Sequence, residues 1–134
     1  GPNPAGPFDG VARAAPALMY AAKVQKRAAD RGFDWPDADG PWQKLTEESL
    51  ELRRAVQAGD PEVVRMEVGD LLFSVVNLAR HLGADGELAL RGATEKFRGR
   101  FEAVLALAGA RGMDLGTADL AALDALWDEV KARP

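Results

Sequence analysis

The sequence predicts an all-α protein, a helical bundle of about five helices. Three observations carry this expectation. Apolar residues recur at three- and four-residue spacing, and no stretch alternates β-branched residues with period two. Gly, Pro and Asp also fall where helices start and stop. With 134 residues the chain suits one domain, and 47% apolar residues are enough for a core. No apolar run reaches the roughly 20 residues of a membrane span, and no signal-peptide pattern is present. A cytoplasmic protein without membrane contact is expected.

Residues 1–13 begin with a Gly- and Pro-rich run and are expected to form a flexible tail. Residues 14–134 form the expected domain. Its first helix covers about residues 14–31, alanine-rich, with Pro16 tolerated in the first turn and Gly32 ending it. The loop GFDWPDADGP follows at residues 32–41, where Pro36 and Pro41 resist regular structure. A second helix is expected over residues 42–58, stopped by Gly59. Asp60 then caps a third over residues 61–82, with Pro61 at its first position. Asp85 caps a fourth over residues 86–110, whose buried stripe should hold Phe97, Phe101, Val104 and Ala108. A last helix over residues 117–132 carries Leu120, Leu123, Trp127 and Val130.

Composition narrows the chemistry. A net charge of −4 argues against a nucleic-acid strand or an anionic membrane as partner, since a basic face supplies most of that affinity. There is no cysteine and one histidine, His81, which excludes disulfides, cysteine nucleophiles and the usual structural zinc. Carboxylates, lysines and arginines remain.

On a wheel of about 100° per residue, Glu67, Asp70, Ser74, Asn77 and His81 of the third helix share an arc of roughly 80°. Val64, Leu71, Val75, Leu78 and Leu82 flank it on one side, Met66 and Phe73 on the other. A solvated face would mix in Lys and Arg, so the fence of apolar residues points to an inward or cleft-lining stripe. On the second helix Lys44, Glu47, Glu48 and Glu51 share a face, with the acids three and four apart. A turn at Gly59 and Asp60 makes the two helices an antiparallel hairpin, bringing Glu51 and Glu67 to similar height. Five crowded acids repel, and a hard divalent cation with oxygen ligands relieves them; Mg²⁺ fits, with Mn²⁺ as substitute. Taken alone, the E-E-x-x-E string favours a solvated face, and only its pairing with the second acidic stripe favours the metal site.

The remaining candidates have plain structural alternatives. Lys96 and Arg100 are either two surface cations or a phosphate clamp. Trp127, four residues before Lys131, is either a core anchor or a base-stacking face. Asn77 and Ser74 stand evenly between core hydrogen bonding and ligand contact, and His81 reads as a helix-end residue. Phe33, Trp35 and Trp42 either pin the first loop or line a base pocket, with pinning favoured.

The strings K-x-x-E-E-x-x-E from Lys44 to Glu51, E-V-G-D-L-L-F at residues 67–73, V-N-L-A-R-H-L-G at residues 76–83 and K-F-R-G-R-F at residues 96–101 resemble the MazG nucleoside triphosphate pyrophosphohydrolases. K-V-Q-K-R-A-A-D-R-G-F-D-W at residues 23–35 and W-D-E-V-K at residues 127–131 fit as well. The likeness is greatest to the C-terminal domain of the long two-domain bacterial members. It implies an all-α homodimer and Mg²⁺-dependent cleavage of nucleoside triphosphates to the monophosphate and pyrophosphate. Carried over by position, Glu48, Glu51, Glu67 and Asp70 are the implied metal ligands, and Glu47 serves the attacking water or a second metal. Lys44, Lys96 and Arg100 hold phosphates, with Trp127 and Lys131 near the nucleoside. Met66 departs from the pattern, standing where long members often place another glutamate. Two rival functions are a non-catalytic helical dimerisation module and a related phosphoribosyl-ATP-type pyrophosphohydrolase.

Overall fold

Why the chain breaks into helices where it does is visible at each junction. The computed structural model describes residues 6–134; the part of the expected tail at residues 1–5 lies outside them. Five helices make the fold all-α: α1 (Ala17–Asp30), α2 (Asp39–Ala58), α3 (Pro61–His81), α4 (Gly86–Ala110) and α5 (Leu120–Lys131). No strand occurs among the described residues, and none of their helices is long and apolar enough to cross a membrane. Gly59 ends α2 with φ 83°, a left-handed conformation that costs a glycine nothing. One residue later Asp60 caps α3 by accepting from the Glu62 N–H at 3.0 Å, with Pro61 at a position that needs no donor. So tight a link leaves α2 and α3 packed side by side, and α1 packs on α3.

Three helix starts differ from the expectation. α1 begins at Ala17 because Pro16 is its extended N-cap, not a first-turn residue. α2 begins at Asp39, three residues early: Pro41 sits in the first turn, where its missing N–H would have had no partner. α5 begins at Leu120 because Asp119 accepts from the Ala122 N–H at 2.8 Å and fixes the start there. Residues 6–9 make a turn closed by the Asp9 carboxylate, and Arg27 of α1 donates to the carbonyls of Pro7 and Asp9.

The chain forms two compact units, Gly1–Ala89 and Leu90–Pro134, divided in the first turn of α4. Within the second, Val104 and Ala108 of α4 are buried with Leu126 and Val130 of α5. Here the expected α4 stripe needs correction: Phe97 is 56% and Phe101 45% exposed, stacked on one another with ring centroids 6.2 Å apart. Leu126, not Leu120, is the central α5 residue; Leu120 is exposed at the helix start. Within the first unit Ala55, Val76 and Leu78 are buried, together with the polar Gln25, Glu48 and Ser74. The apolar fence around the acidic stripe is also corrected, because Met66, Phe73, Val75 and Leu82 are exposed in the chain. They flank the acids without roofing them.

Candidate active site

The α2–α3 hairpin converges three carboxylates. Glu48 of α2 and Glu67 and Asp70 of α3 each offer an oxygen within 4.8 Å of the others, close enough to hold one metal ion. The spacing follows from the helix: Glu67 and Asp70 are three apart and project to one side, and the short link sets Glu48 opposite them. Glu48 is the unusual member. It is buried, 7% exposed, and its Oε1 accepts from Lys44 Nζ at 3.0 Å. Its Oε2 is buried with no hydrogen-bond partner. A buried carboxylate oxygen without a donor is costly, and a cation shared with Glu67 and Asp70 removes that cost. The donor set is all oxygen, which suits a hard divalent ion better than zinc.

The electrostatics agree with the geometry. Glu67 has its pKa raised above the ordinary glutamate value, first by desolvation and then by the negative charges of Asp70, Glu48 and Glu51. Lys44 is held more firmly protonated, chiefly by its hydrogen bond to Glu48 and by the charge of Glu47, whose carboxylate lies 3.5 Å away. Glu51 is near enough to act on Glu67, yet its own carboxylate turns to Arg54 at 3.0 Å. Ser74 is buried and donates to the Asp70 carbonyl at 2.9 Å, bracing the backbone beneath that acid. Met66 is 61% exposed and adds nothing to the carboxylate group.

Alongside this cluster lies a pocket of about 470 Å³ walled by α1, the α1–α2 loop, the start of α2 and α3. Phe33, Trp35, Pro41 and Phe73 supply apolar lining, while Lys44 and Ser74 belong both to the pocket and to the surroundings of the acids. The loop is pinned. Asp34 takes both arms of the Arg80 guanidinium at 2.7 and 3.0 Å, and His81 Nε2 lies 2.8 Å from it. That fork, followed by His81 and the Trp35 N–H, holds the Asp34 carboxyl far below the ordinary carboxylate range. His81 is therefore a partner of the loop, a role invisible while Asp34 was read only as part of a loop. Arg80 also engages Asn77 Oδ1 at 2.8 Å, which places Asn77 at the pocket wall with its amide oriented. Gly40 completes the loop's seat: a Cβ there would meet the Trp35 ring at 2.4 Å.

The cationic and aromatic candidates fall in the second unit. Arg100 lies over the Trp127 ring, 5.9 Å from its centroid, and Phe97 packs against the same ring at 5.4 Å. Lys96 is exposed on α4, with no ion pair among the described residues, and Lys131 is exposed at the end of α5. Sequence reasoning missed Gln25, buried on α1 at the pocket wall. The signal was present: Ala21, Ala22, Ala28 and Ala29 stand at three- and four-residue spacing around it, putting it in an apolar stripe.

Residues 41–105 match the MazG nucleotide pyrophosphohydrolase domain, a span that includes Lys44, all five acids, Asn77, Lys96 and Arg100 and leaves out Trp127 and Lys131. The chain is 44% identical over 128 residues to a nucleoside triphosphate pyrophosphohydrolase of Escherichia coli (strain K12), covering 92% of this chain and 48% of that protein. It is 43% identical over 116 residues to a nucleoside triphosphate pyrophosphohydrolase/pyrophosphatase MazG of Thermotoga maritima, covering 87% and 44% respectively. Against the uncharacterized protein YabN of Bacillus subtilis the identity is 40% over 125 residues, 92% of this chain and 26% of that one. The chain thus spans about half the length of the first two relatives.

Proposed function

This chain belongs to the MazG nucleotide pyrophosphohydrolase family, and we propose that residues 14–134 act as one domain that hydrolyses nucleoside triphosphates to the monophosphate and pyrophosphate with Mg²⁺. One observation carries the proposal: Glu48, which has one buried oxygen without a donor, also belongs to a group with Glu67 and Asp70 in which each carboxylate offers an oxygen within 4.8 Å of the others. A structural surface cluster would turn such an oxygen to water. Names of the relatives support the reaction class, as proteins that share most of this chain's length in alignment.

Glu48, Glu67, Asp70 and Glu51 would hold the metal, the first three already grouped and Glu51 paired with Arg54. When bound, Mg²⁺ supplies a more acidic water and neutralises phosphate charge, with Mn²⁺ able to replace it. Glu47, exposed beside Lys44, orients the attacking water. That water attacks the α-phosphorus in line, and the bond from the α-phosphorus to the α–β bridging oxygen breaks, releasing pyrophosphate. Lys44, Lys96 and Arg100 bind the phosphates, the latter two stabilising charge on the leaving group. Asn77 contacts the substrate, and Trp127 and Lys131 lie near the nucleoside.

A cytoplasmic homodimer that binds small nucleotides and no nucleic-acid strand completes the proposal. Dimerisation is supported by exposed apolar residues that share a face of α3, Val68, Leu72 and Val75, and by Val56 on α2. The test is direct. Incubated with Mg²⁺ and a panel of deoxynucleoside triphosphates, the protein should release pyrophosphate and monophosphate in equal amounts. Orthophosphate as the product would indicate a phosphoesterase, and no turnover together with calorimetric silence toward Mg²⁺ would indicate a dimerisation module.

A further inference from the structure

We propose that Gln25 reads the nucleobase, selecting bases that carry an exocyclic amino group opposite the glycosidic bond, cytosine and adenine. This rests on the pyrophosphohydrolase reading above and adds the substrate class to it. Gln25 is 7% exposed and lines the pocket beside the acids. Its Nε2 donates to the Phe73 carbonyl at 3.0 Å. Its Oε1 is buried and has no partner. The orientation of the amide is decided by chemistry, because the flipped form would set two acceptor oxygens against each other at Phe73. What Gln25 offers the pocket is therefore an acceptor held in place.

Lys44, Asn77 and Arg80 line the same pocket, and none of them donates to this oxygen. Its exposed lining is mostly apolar and aromatic, and the Arg80 guanidinium donates instead to Asp34 and Asn77. A ligand that fits must bring an N–H. Lys44 and Ser74 join the pocket to the carboxylate cluster, since Lys44 lies 3.0 Å from Glu48 and Ser74 bonds the Asp70 carbonyl. A nucleotide with its phosphates at the acids can thus place its base in this pocket, whose volume of about 470 Å³ admits a purine. The substituent opposite the glycosidic nitrogen reaches deepest. In cytosine and adenine it is an amino donor; in uracil, thymine, guanine and hypoxanthine it is a keto oxygen, which would face Gln25 Oε1 with no hydrogen between them. One buried acceptor satisfied or left bare corresponds to a preference of about 10- to 100-fold.

The experiment compares kcat/KM for dCTP against dUTP and for dATP against dITP, two pairs that differ chiefly at this position. Calorimetric binding of dCMP and dUMP is measured alongside. Amino forms should be favoured about 10- to 100-fold in both pairs, dCMP should bind more tightly than dUMP, and Gln25→Leu should bring both ratios toward one. Equal or inverted ratios in the wild-type protein, with pyrophosphate released, would overturn the role of Gln25 and leave the pyrophosphohydrolase reading standing. An amino preference that survives in a folded Gln25→Leu variant would do the same. If nothing is hydrolysed the activity reading fails, and the dCMP and dUMP affinities still decide for or against Gln25. Should Gln25→Leu fail to fold, the wild-type ratios decide.

Discussion

The α2–α3 hairpin and the α4–α5 unit solve opposite problems. In α4–α5 the buried residues are apolar, and the bridge between the helices, Arg111 to Glu129 at 2.6 and 2.8 Å, is a two-armed pair that lowers the Glu129 pKa and raises that of Arg111. There the observed pairings are internal to the unit, with Arg100 lying over Trp127. In the hairpin the charges are left unbalanced: Lys44 and Arg54 answer the five acids Glu47, Glu48, Glu51, Glu67 and Asp70, and one buried oxygen has no donor. Charge that a fold could have paired and did not is charge kept for a ligand. The contrast supports the proposal that the metal site lies in the hairpin.

The sharpest way to break this contrast is to remove a carboxylate. Glu48→Ala or Asp70→Ala should cut pyrophosphate release roughly 1,000-fold or more while circular dichroism and the oligomeric state stay unchanged; an active variant would remove the hairpin from the chemistry. Next in size, Lys96→Ala or Arg100→Ala should lower kcat/KM about 100-fold without abolishing metal binding. A change confined to thermal stability would mean that α4 serves only as scaffold.

Asp34→Asn should cost about 1–2 kcal/mol at pH 7 by denaturant unfolding, because the Arg80 fork favours the charged carboxylate. Its folded pKa is depressed, so this stability is present above the unfolded value of 3.8 and fades as pH falls below it. The gap between wild type and variant should therefore close in acid, and a gap independent of pH would show that the Asp34 charge is irrelevant. Asp70→Asn should raise the metal-free Tm at pH 7 by ~2 °C while destroying activity. Glu67 has a raised folded pKa, so its crowding destabilises the fold increasingly as pH rises above the unfolded value of 4.5. A lowered Tm would mean that these acids stabilise one another. Least of all, Arg111→Ala should lower the Tm only slightly and leave turnover intact.

Much of this was legible in the sequence, for identifiable reasons. Gly59, Asp60 and Pro61 announce the hairpin through three independent backbone rules, and the 3.6 period then places Glu67 and Asp70 together with Glu48 across the link. Helix starts were less legible where Pro serves in a first turn, as at Pro41, or where a cap such as Asp119 hides among other polar residues. Burial was least legible. A helical wheel identifies a face without saying what covers it, so Phe97 and Phe101 read as buried and Met66 and Phe73 as a fence around the acids, and all four are exposed in the chain. Gln25 was overlooked because a lone amide in an alanine-rich helix carries no motif, and its neighbour at Phe73 is 48 residues away. The role of Glu51 depends on a side-chain choice between Arg54 and a metal, which no spacing rule decides.

If the hairpin has the proposed role, Glu48, Glu67 and Asp70 bind a divalent cation together. Titration of the wild-type protein and of Glu48→Gln with Mn²⁺, followed by calorimetry, tests it most directly. The wild-type protein should show saturable binding that Mg²⁺ displaces, and Glu48→Gln should lose it while remaining folded. Absence of binding in the wild-type protein, or equal binding in the variant, would contradict the account.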